Sequence, residues 1–254
     1  MTLIFMKGGI QMMTATDTRK EARNHLNNKW GKGALIAFGY FIIEMIMNFI
    51  VRLTENMGII GFIVSIAQII ISVPLSYGII ISYMKLKRDE EVGAFDFLTS
   101  GFSSFVRAWK TGLSMMLKMI LPIILTIIAI VIVAVFAAIS VAQGASSTLM
   151  IIGVILLLAV AVYAYAVSLK YVLSFYIAYD EPDLSSKEVV EKSAKMMNNN
   201  RGNYFVLTLS FIGWAILGII TLGIGYFWLI PYIQVSQICF YEALKGNDEN
   251  PVEQ

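Results

Sequence analysis

"FVLTLSFIGWAILGIITLGIGYFWLIPYIQVSQICFYEAL", residues 205–244, carries a single charge, Glu242. As one straight helix the run would reach roughly 60 Å, twice the ~30 Å hydrocarbon core of a bilayer. The glycine-rich "TLGIGY" at 221–226 supplies a turn. The run therefore reads as two membrane helices, about 205–221 and 226–244. Four further apolar runs precede it, at about 34–51, 59–83, 113–139 and 149–172, and charged residues collect in short blocks between them. The expected fold class is all-α: a polytopic membrane protein of six transmembrane helices, forming a single membrane domain over 13–245 with a flexible acidic tail at 246–254.

Composition agrees with that reading. Of 254 residues 58% are hydrophobic and only 14% charged, against roughly 25% charged in soluble proteins. A net charge of +2, with no basic patch interleaved with aromatics, gives no reason to expect a nucleic-acid partner. The lone Cys239 excludes an internal disulfide framework and a cysteine zinc cluster, and the lone His25 excludes metal sites built from histidine pairs. No metal ligand set, cofactor or catalytic residue is assigned. The first residues, "MTLIFMKGGIQM", differ in character from the rest of the chain. Their Lys-Gly-Gly is the kind of triplet that a ribosome-binding-site-like purine stretch encodes, so translation is expected to begin at Met12 or Met13, and 1–12 are set outside the fold.

Basic residues orient the chain. With both ends in the cytoplasm, 18 of the 19 Lys and Arg, counting Lys7 of the first residues, lie inside, and only Arg52 lies outside. The inner segments are the arm "TDTRKEARNHLNNKWGKG", the block from Lys85 to Lys118, the block from Lys170 to Arg201, and Lys245. Trp30 is placed as an interfacial anchor. The expected location is the bacterial plasma membrane.

Two of the cytoplasmic connections carry helix patterns. In "EPDLSSKEVVEKSAKMMNNNRGNY", 181–204, Ser185 and Glu188 have capping-box spacing, and Val190, Ala194 and Met197 recur at i, i+4 and i+7 beneath a charged face. Residues 92–110 scatter Phe95, Phe97, Leu98, Phe102, Phe105, Val106 and Trp109 among polar neighbours. Each reads as an amphipathic helix that lies in the headgroup region or packs under the bundle. The parallel between the two connections hints at an internal duplication.

"YIAYDEPDLSSKEVVEKSAKMM" and the apolar run 205–244 closely resemble the bacterial membrane-protein family catalogued as domain of unknown function 975. "NNKWGKG", "PLSYG" and "FLTSGF" are also similar to that family. The resemblance covers about Ala22 to Leu244 and implies a multi-span integral membrane protein, with no mechanism to carry over.

Glu44 is the one acid of the first span, roughly 15 Å from Ala34 and so near the midplane. The ten Leu, Ile, Phe and Val of its span return roughly 3 to 6 kcal/mol on insertion scales, enough to carry the acid. It reads either as a proton or cation site or as a neutral, hydrogen-bonded carboxyl that glues helices together; the absence of a second buried acid favours the latter. Lys118 and Lys170 are its candidate basic partners, although both lie where a lysine can snorkel to the boundary. Pro74, Pro122 and Pro231 interrupt spans, either as broken helices around a binding site or as plain kinks. No HExxH, GxSxG or Walker loop occurs. A non-enzymatic scaffold or accessory subunit, in contact with membrane lipids and with another membrane protein or a second copy, is the expected function. A small transporter or lipid-handling protein, using Glu44 and the kinked spans, is the alternative.

Overall fold

The computed structural model describes residues 14–143 and 148–249, so the expected late start and the tail beyond Glu249 lie outside the described residues. Within them every regular element is a helix: α1 (Ala15–Leu26), α2 (Trp30–Thr54), α3 (Ile59–Lys87), α4 (Asp96–Ser103), α5 (Phe105–Gln143), α6 (Thr148–Ser168), α7 (Ser174–Asp180), α8 (Ser186–Met196), α9 (Arg201–Leu209), α10 (Ile212–Ile220) and α11 (Tyr226–Glu249). α11 keeps 246–249, expected as tail, in helix. Five stretches are long and apolar enough to cross a membrane: Trp30–Thr54, Ile59–Lys87, Phe105–Ser140, Met150–Ser168 and Arg201–Ile220. The last of these runs through the break between α9 and α10. α11, expected as a sixth span, is not among them, because Gln234, Ser236, Gln237 and Glu242 dilute its apolar residues.

Contacts divide the chain into two compact units, one from the described residues of Met1–Trp109 and Gly202–Gln254, the other Lys110–Arg201. In the first, α2 and α3 form a long hairpin against which α11 packs, and α1 lies on α11. Packing is concentrated at the end where α1 sits. The buried residues of α2 are Gly33, Ile36, Ala37 and Gly39; those of α3, Gly61 apart, lie between Pro74 and Lys87. Beyond Tyr40 and before Pro74 the same hairpin turns Phe41, Met45, Phe49, Leu53, Phe62, Ile66 and Ile69 outward. Uncovered apolar surface on this scale is what a lipid-facing helix needs and what a water-facing one avoids.

Close backbone approach builds the packed end. A Cβ on Gly78 would collide with the Phe97 carbonyl, and one on Gly101 with that of Pro74, so α4 sits directly on the α3 backbone. At Gly33 a Cβ would lie 2.8 Å from Pro231 Cβ, and this brings α11 onto α2. Pro74 has no N–H for the Ile70 carbonyl one turn earlier; the Trp109 indole donates to that carbonyl instead, at 3.0 Å. The carbonyl freed by Pro74 is thus satisfied within the same unit. Pro122 and Pro231 also lie inside helices, α5 and α11.

α10 and α11 form a second, shorter hairpin. Tyr232 of α11 meets Phe211 and Trp214 on one side and Trp30, the first residue of α2, on the other. Phe227, nearer the turn, sits against Phe38 and Phe41. The turn lies only a few residues further on. By helical rise it stands roughly 20 Å beyond Trp30, whereas α2 in full reaches roughly 36 Å. Every backbone N–H from Thr221 to Leu229 has a partner close by. Gly223 donates to Gly218, Leu222 to Ile219, and Gly225 to the Thr221 hydroxyl at 2.9 Å. Leu222 takes a positive φ of 53° with its side chain 94% exposed, in a region where glycine and asparagine are the usual occupants.

In the second unit α5 from Lys110 onward and α6 form the long elements, and Gly153 of α6 meets Phe136 and Val133 of α5. α7 and α8 pack on each other. The capping box is realised: the Ser185 hydroxyl accepts from Glu188 N–H, and Glu188 Oε2 accepts from Ser185 N–H at 2.8 Å. Val189, Val190, Met196 and Met197 are buried and Ala194 half-buried, so most of the apolar side of α8 is spent on protein rather than on lipid.

Candidate functional site

Glu44 lies on the far part of α2, where protein covers little of the helix. Tyr40, Glu44 and Asn48 recur every fourth residue on α2, and Gln68, Ser72 and Ser76 do the same on α3, which puts each set on one helical face. The two sets meet. Tyr40 lies beside both Glu44 and Ser76. The Gln68 amide donates to Asn48 Oδ1 at 3.4 Å, and the Asn48 amide to the Glu44 carbonyl at 2.8 Å. A half-buried carboxyl thus sits in the middle of a polar ladder along an apolar hairpin. Such a ladder can hold helices together, and it can also hold a proton or a small cation beside the carboxyl.

Lys118 and Lys170, the candidate basic partners that interfacial placement also explains, belong to the second unit. Lys118 pairs with Glu191 of α8 at 3.9 Å. The Lys170 carbonyl accepts from the Ser193 hydroxyl at 2.9 Å, and Lys192 meets Glu181 at 2.7 Å. The ladder around Glu44 is itself made of neutral amides and hydroxyls of α2 and α3, and the Asn48 amide goes to the Glu44 backbone carbonyl. Their four-residue spacing was present in the sequence, but residues of this kind in a span pass for ordinary small or polar variation.

A second polar cluster closes the packed end of the first unit. Lys29 bridges to Asp89 at 2.6 Å and donates to the Leu86 carbonyl at 3.1 Å; this bond holds the Asp89 carboxyl below its ordinary range. Lys87 pairs with Glu242, and Arg88 approaches the same carboxylate at 3.7 Å. The Tyr83 hydroxyl donates to the Gly33 carbonyl at 3.0 Å. The Arg19 guanidinium donates to the Ser210 carbonyl at 3.2 Å, where α9 gives way to α10. Beside the Lys87–Glu242 pair lie Glu21, His25 and Cys239, whose ligand atoms all fall within 4.8 Å of one another. His25 Nε2 stands 3.7 Å from Glu21 Oε1. Burial first, and then the Lys87 charge, lower the His25 pKa. Sequence reasoning set cysteine-only and histidine-only sites aside and passed over this mixed set. Its one local signal is the four-residue interval from Glu21 to His25, and the third member lies more than two hundred residues away in the chain.

No curated protein and no solved structure matches the chain. The family model described as "protein of unknown function (DUF975)" matches residues 12–248, and the chain belongs to that family.

Proposed function

We propose that the protein is a non-enzymatic scaffold or accessory subunit of the bacterial plasma membrane, with both ends in the cytoplasm. The observation that carries this reading is where the packing lies. In each unit the buried side chains gather at the ends rich in basic residues, around α1, α4 and α11 in one and α7 and α8 in the other, while the far ends expose apolar surface. A folded platform at the membrane surface is what a docking or organising role requires. Because α8 spends its apolar residues internally, its exposed Lys187, Glu188, Glu191 and Lys195 are the groups left for a protein partner. Lipid contact falls to the exposed Phe95, Phe102 and Val106.

The short hairpin refines the six-span expectation. We propose that α10 and the first turns of α11 enter the bilayer from the cytoplasmic face and return near its middle, leaving α2, α3, α5 and α6 as full crossings. Support comes from the depth of roughly 20 Å, the absence of charge from Phe205 to Cys239, and a turn whose backbone donors are all satisfied, as immersion in lipid demands. Both ends stay on one side, as in the six-span reading.

The polar ladder favours a second reading, movement of protons or a small cation along α2 and α3. Reconstituted vesicles separate the two. Under the scaffold reading Glu44→Gln leaves localisation and crosslinked partners unchanged and no flux is seen in either form; a flux in the wild type that Glu44→Gln abolishes overturns it. Topology is tested by reporters near Gln143 and Lys192, which belong on opposite sides; finding both in one compartment would sink the arrangement.

A further inference from the structure

We propose that Glu21 and His25 of α1 and Cys239 of α11 form a mononuclear site for a zinc-class divalent cation, which clips the amino-terminal helix to the carboxy-terminal one.

The donor geometry argues for it. Around a tetrahedral zinc ion with bonds of about 2.0–2.3 Å, neighbouring ligand atoms stand roughly 3.3–3.8 Å apart. His25 Nε2 and Glu21 Oε1 are 3.7 Å apart, and all three ligand atoms are mutually within 4.8 Å. Small side-chain rotations therefore bring them onto one ion without moving a backbone. The interval from Glu21 to His25 sets both on one face of α1, which is the face turned to α11; Ala22, between them, is fully buried.

The chemistry selects the class of cation. One imidazole nitrogen, one sulfur and one carboxylate oxygen make a borderline-soft set that suits zinc and neighbouring transition metals. Calcium and magnesium take all-oxygen shells. Cys239 is 1% exposed while Glu21 and His25 are half-exposed, so three protein ligands approach from the protein side and the fourth position opens to water. Lys87 is the opposing consideration, since its ammonium lies close by. It is tied to Glu242, whose carboxylate offsets its charge.

The site has a structural consequence beyond binding. α1 reaches the bundle through its contact with α11, so an ion held by both helices stabilises the docked arm in proportion to its occupancy. Arm docking is then metal-dependent, a property that stands or falls independently of the scaffold reading.

The test uses the full chain in detergent, purified through a tag without histidine and stripped with chelator under reducing conditions. Cobalt(II) is titrated in and followed by absorbance. The expected result is one cobalt per chain with tetrahedral d–d bands and a thiolate-to-cobalt charge-transfer band, all erased by one equivalent of zinc. Cys239→Ser removes the charge-transfer band, and His25→Ala, at a half-exposed position that folding tolerates, weakens binding by more than about 100-fold, beyond the loss typical of an outer-shell partner. Proteolysis within α1 slows when zinc is added to the wild type and does not respond in His25→Ala. A wild type with no charge-transfer band overturns the proposal, and so does a His25→Ala chain that binds cobalt as tightly as the wild type.

Discussion

The two hairpins of the first unit are built from the same kinds of apolar residue and end in opposite kinds of turn. α2–α3 closes through Glu55, Asn56, Met57 and Gly58, a polar turn after Arg52, at the end of helices long enough to cross a bilayer. α10–α11 closes through Thr221–Gly225, uncharged, with Leu222 almost wholly exposed and the backbone donors around it satisfied from within. A turn that reaches water leaves its backbone to the solvent and carries charge. A turn that stops in hydrocarbon must satisfy its own backbone and show apolar side chains. Turn chemistry therefore reports depth, which hydropathy along the helices does not.

The largest effect should come from placing a charge in the short turn. Leu222→Arg is expected to cost about 3 kcal/mol of insertion, as an arginine near the bilayer centre does on translocon scales, whereas Met57→Arg in the long turn should cost almost nothing. Membrane-inserted fractions of the two variants, measured side by side, decide it; equal losses would abolish the distinction between the hairpins. Next is the seam between them. Gly33→Ala forces a methyl to 2.8 Å from Pro231 Cβ, and overpacking of this kind is expected to destabilise by about 2 kcal/mol in thermal unfolding. A Pro231→Gly partner substitution, which removes that Cβ, should relieve part of it.

Within the long hairpin, Trp109→Phe leaves the Ile70 carbonyl without its indole donor, with an expected loss of about 1.5 kcal/mol. Pro74→Ala supplies the missing backbone N–H, so the double variant should recover most of that loss; additive losses would mean that the bond does not serve the kink. The smallest effect is a control in the second unit. Ser185→Ala removes the cap of α8 for about 1 kcal/mol and should leave both hairpins unchanged in hydrogen exchange. Hydrogen bonds from Ser185 lower the Glu188 pKa, so this carboxylate's share of the cap is present above the ordinary carboxylate range. It is lost as pH falls through the lowered value, and amide exchange at the start of α8 should rise there in the wild type more than in Ser185→Ala.

Several parts of the molecule are legible from the chain alone because local physics fixes them. The capping box at Ser185 and Glu188 is one, since both hydrogen bonds span three residues. The α2 and α3 runs are another, because length and apolarity suffice to identify a helix suited to lipid. The burial of Val190 and Met197 was legible as periodicity, but not its destination: headgroup and protein impose the same pattern on α8. The four-residue spacing of the polar ladder beside Glu44 is in the chain, but the bond from Gln68 to Asn48 depends on α3 facing α2 in one register. The run 205–244 was divided correctly at its glycines, yet its depth rests on Phe227 meeting Phe38 and Phe41 and on Tyr232 meeting Trp30, contacts that span most of the chain.

By itself the sequence determined a helical protein suited to lipid, where its charged connections lie, and membership of its family, because helix formation and hydrophobic transfer are read out over a few turns of chain. Only the tertiary structure decided how far the last hairpin reaches, which side chains gather around Glu44, and that Glu21, His25 and Cys239 come together. Those depend on close backbone approach at Gly33, Gly78 and Gly101, where the absence of a single carbon sets the register between helices, and no local pattern encodes what will be on the other side.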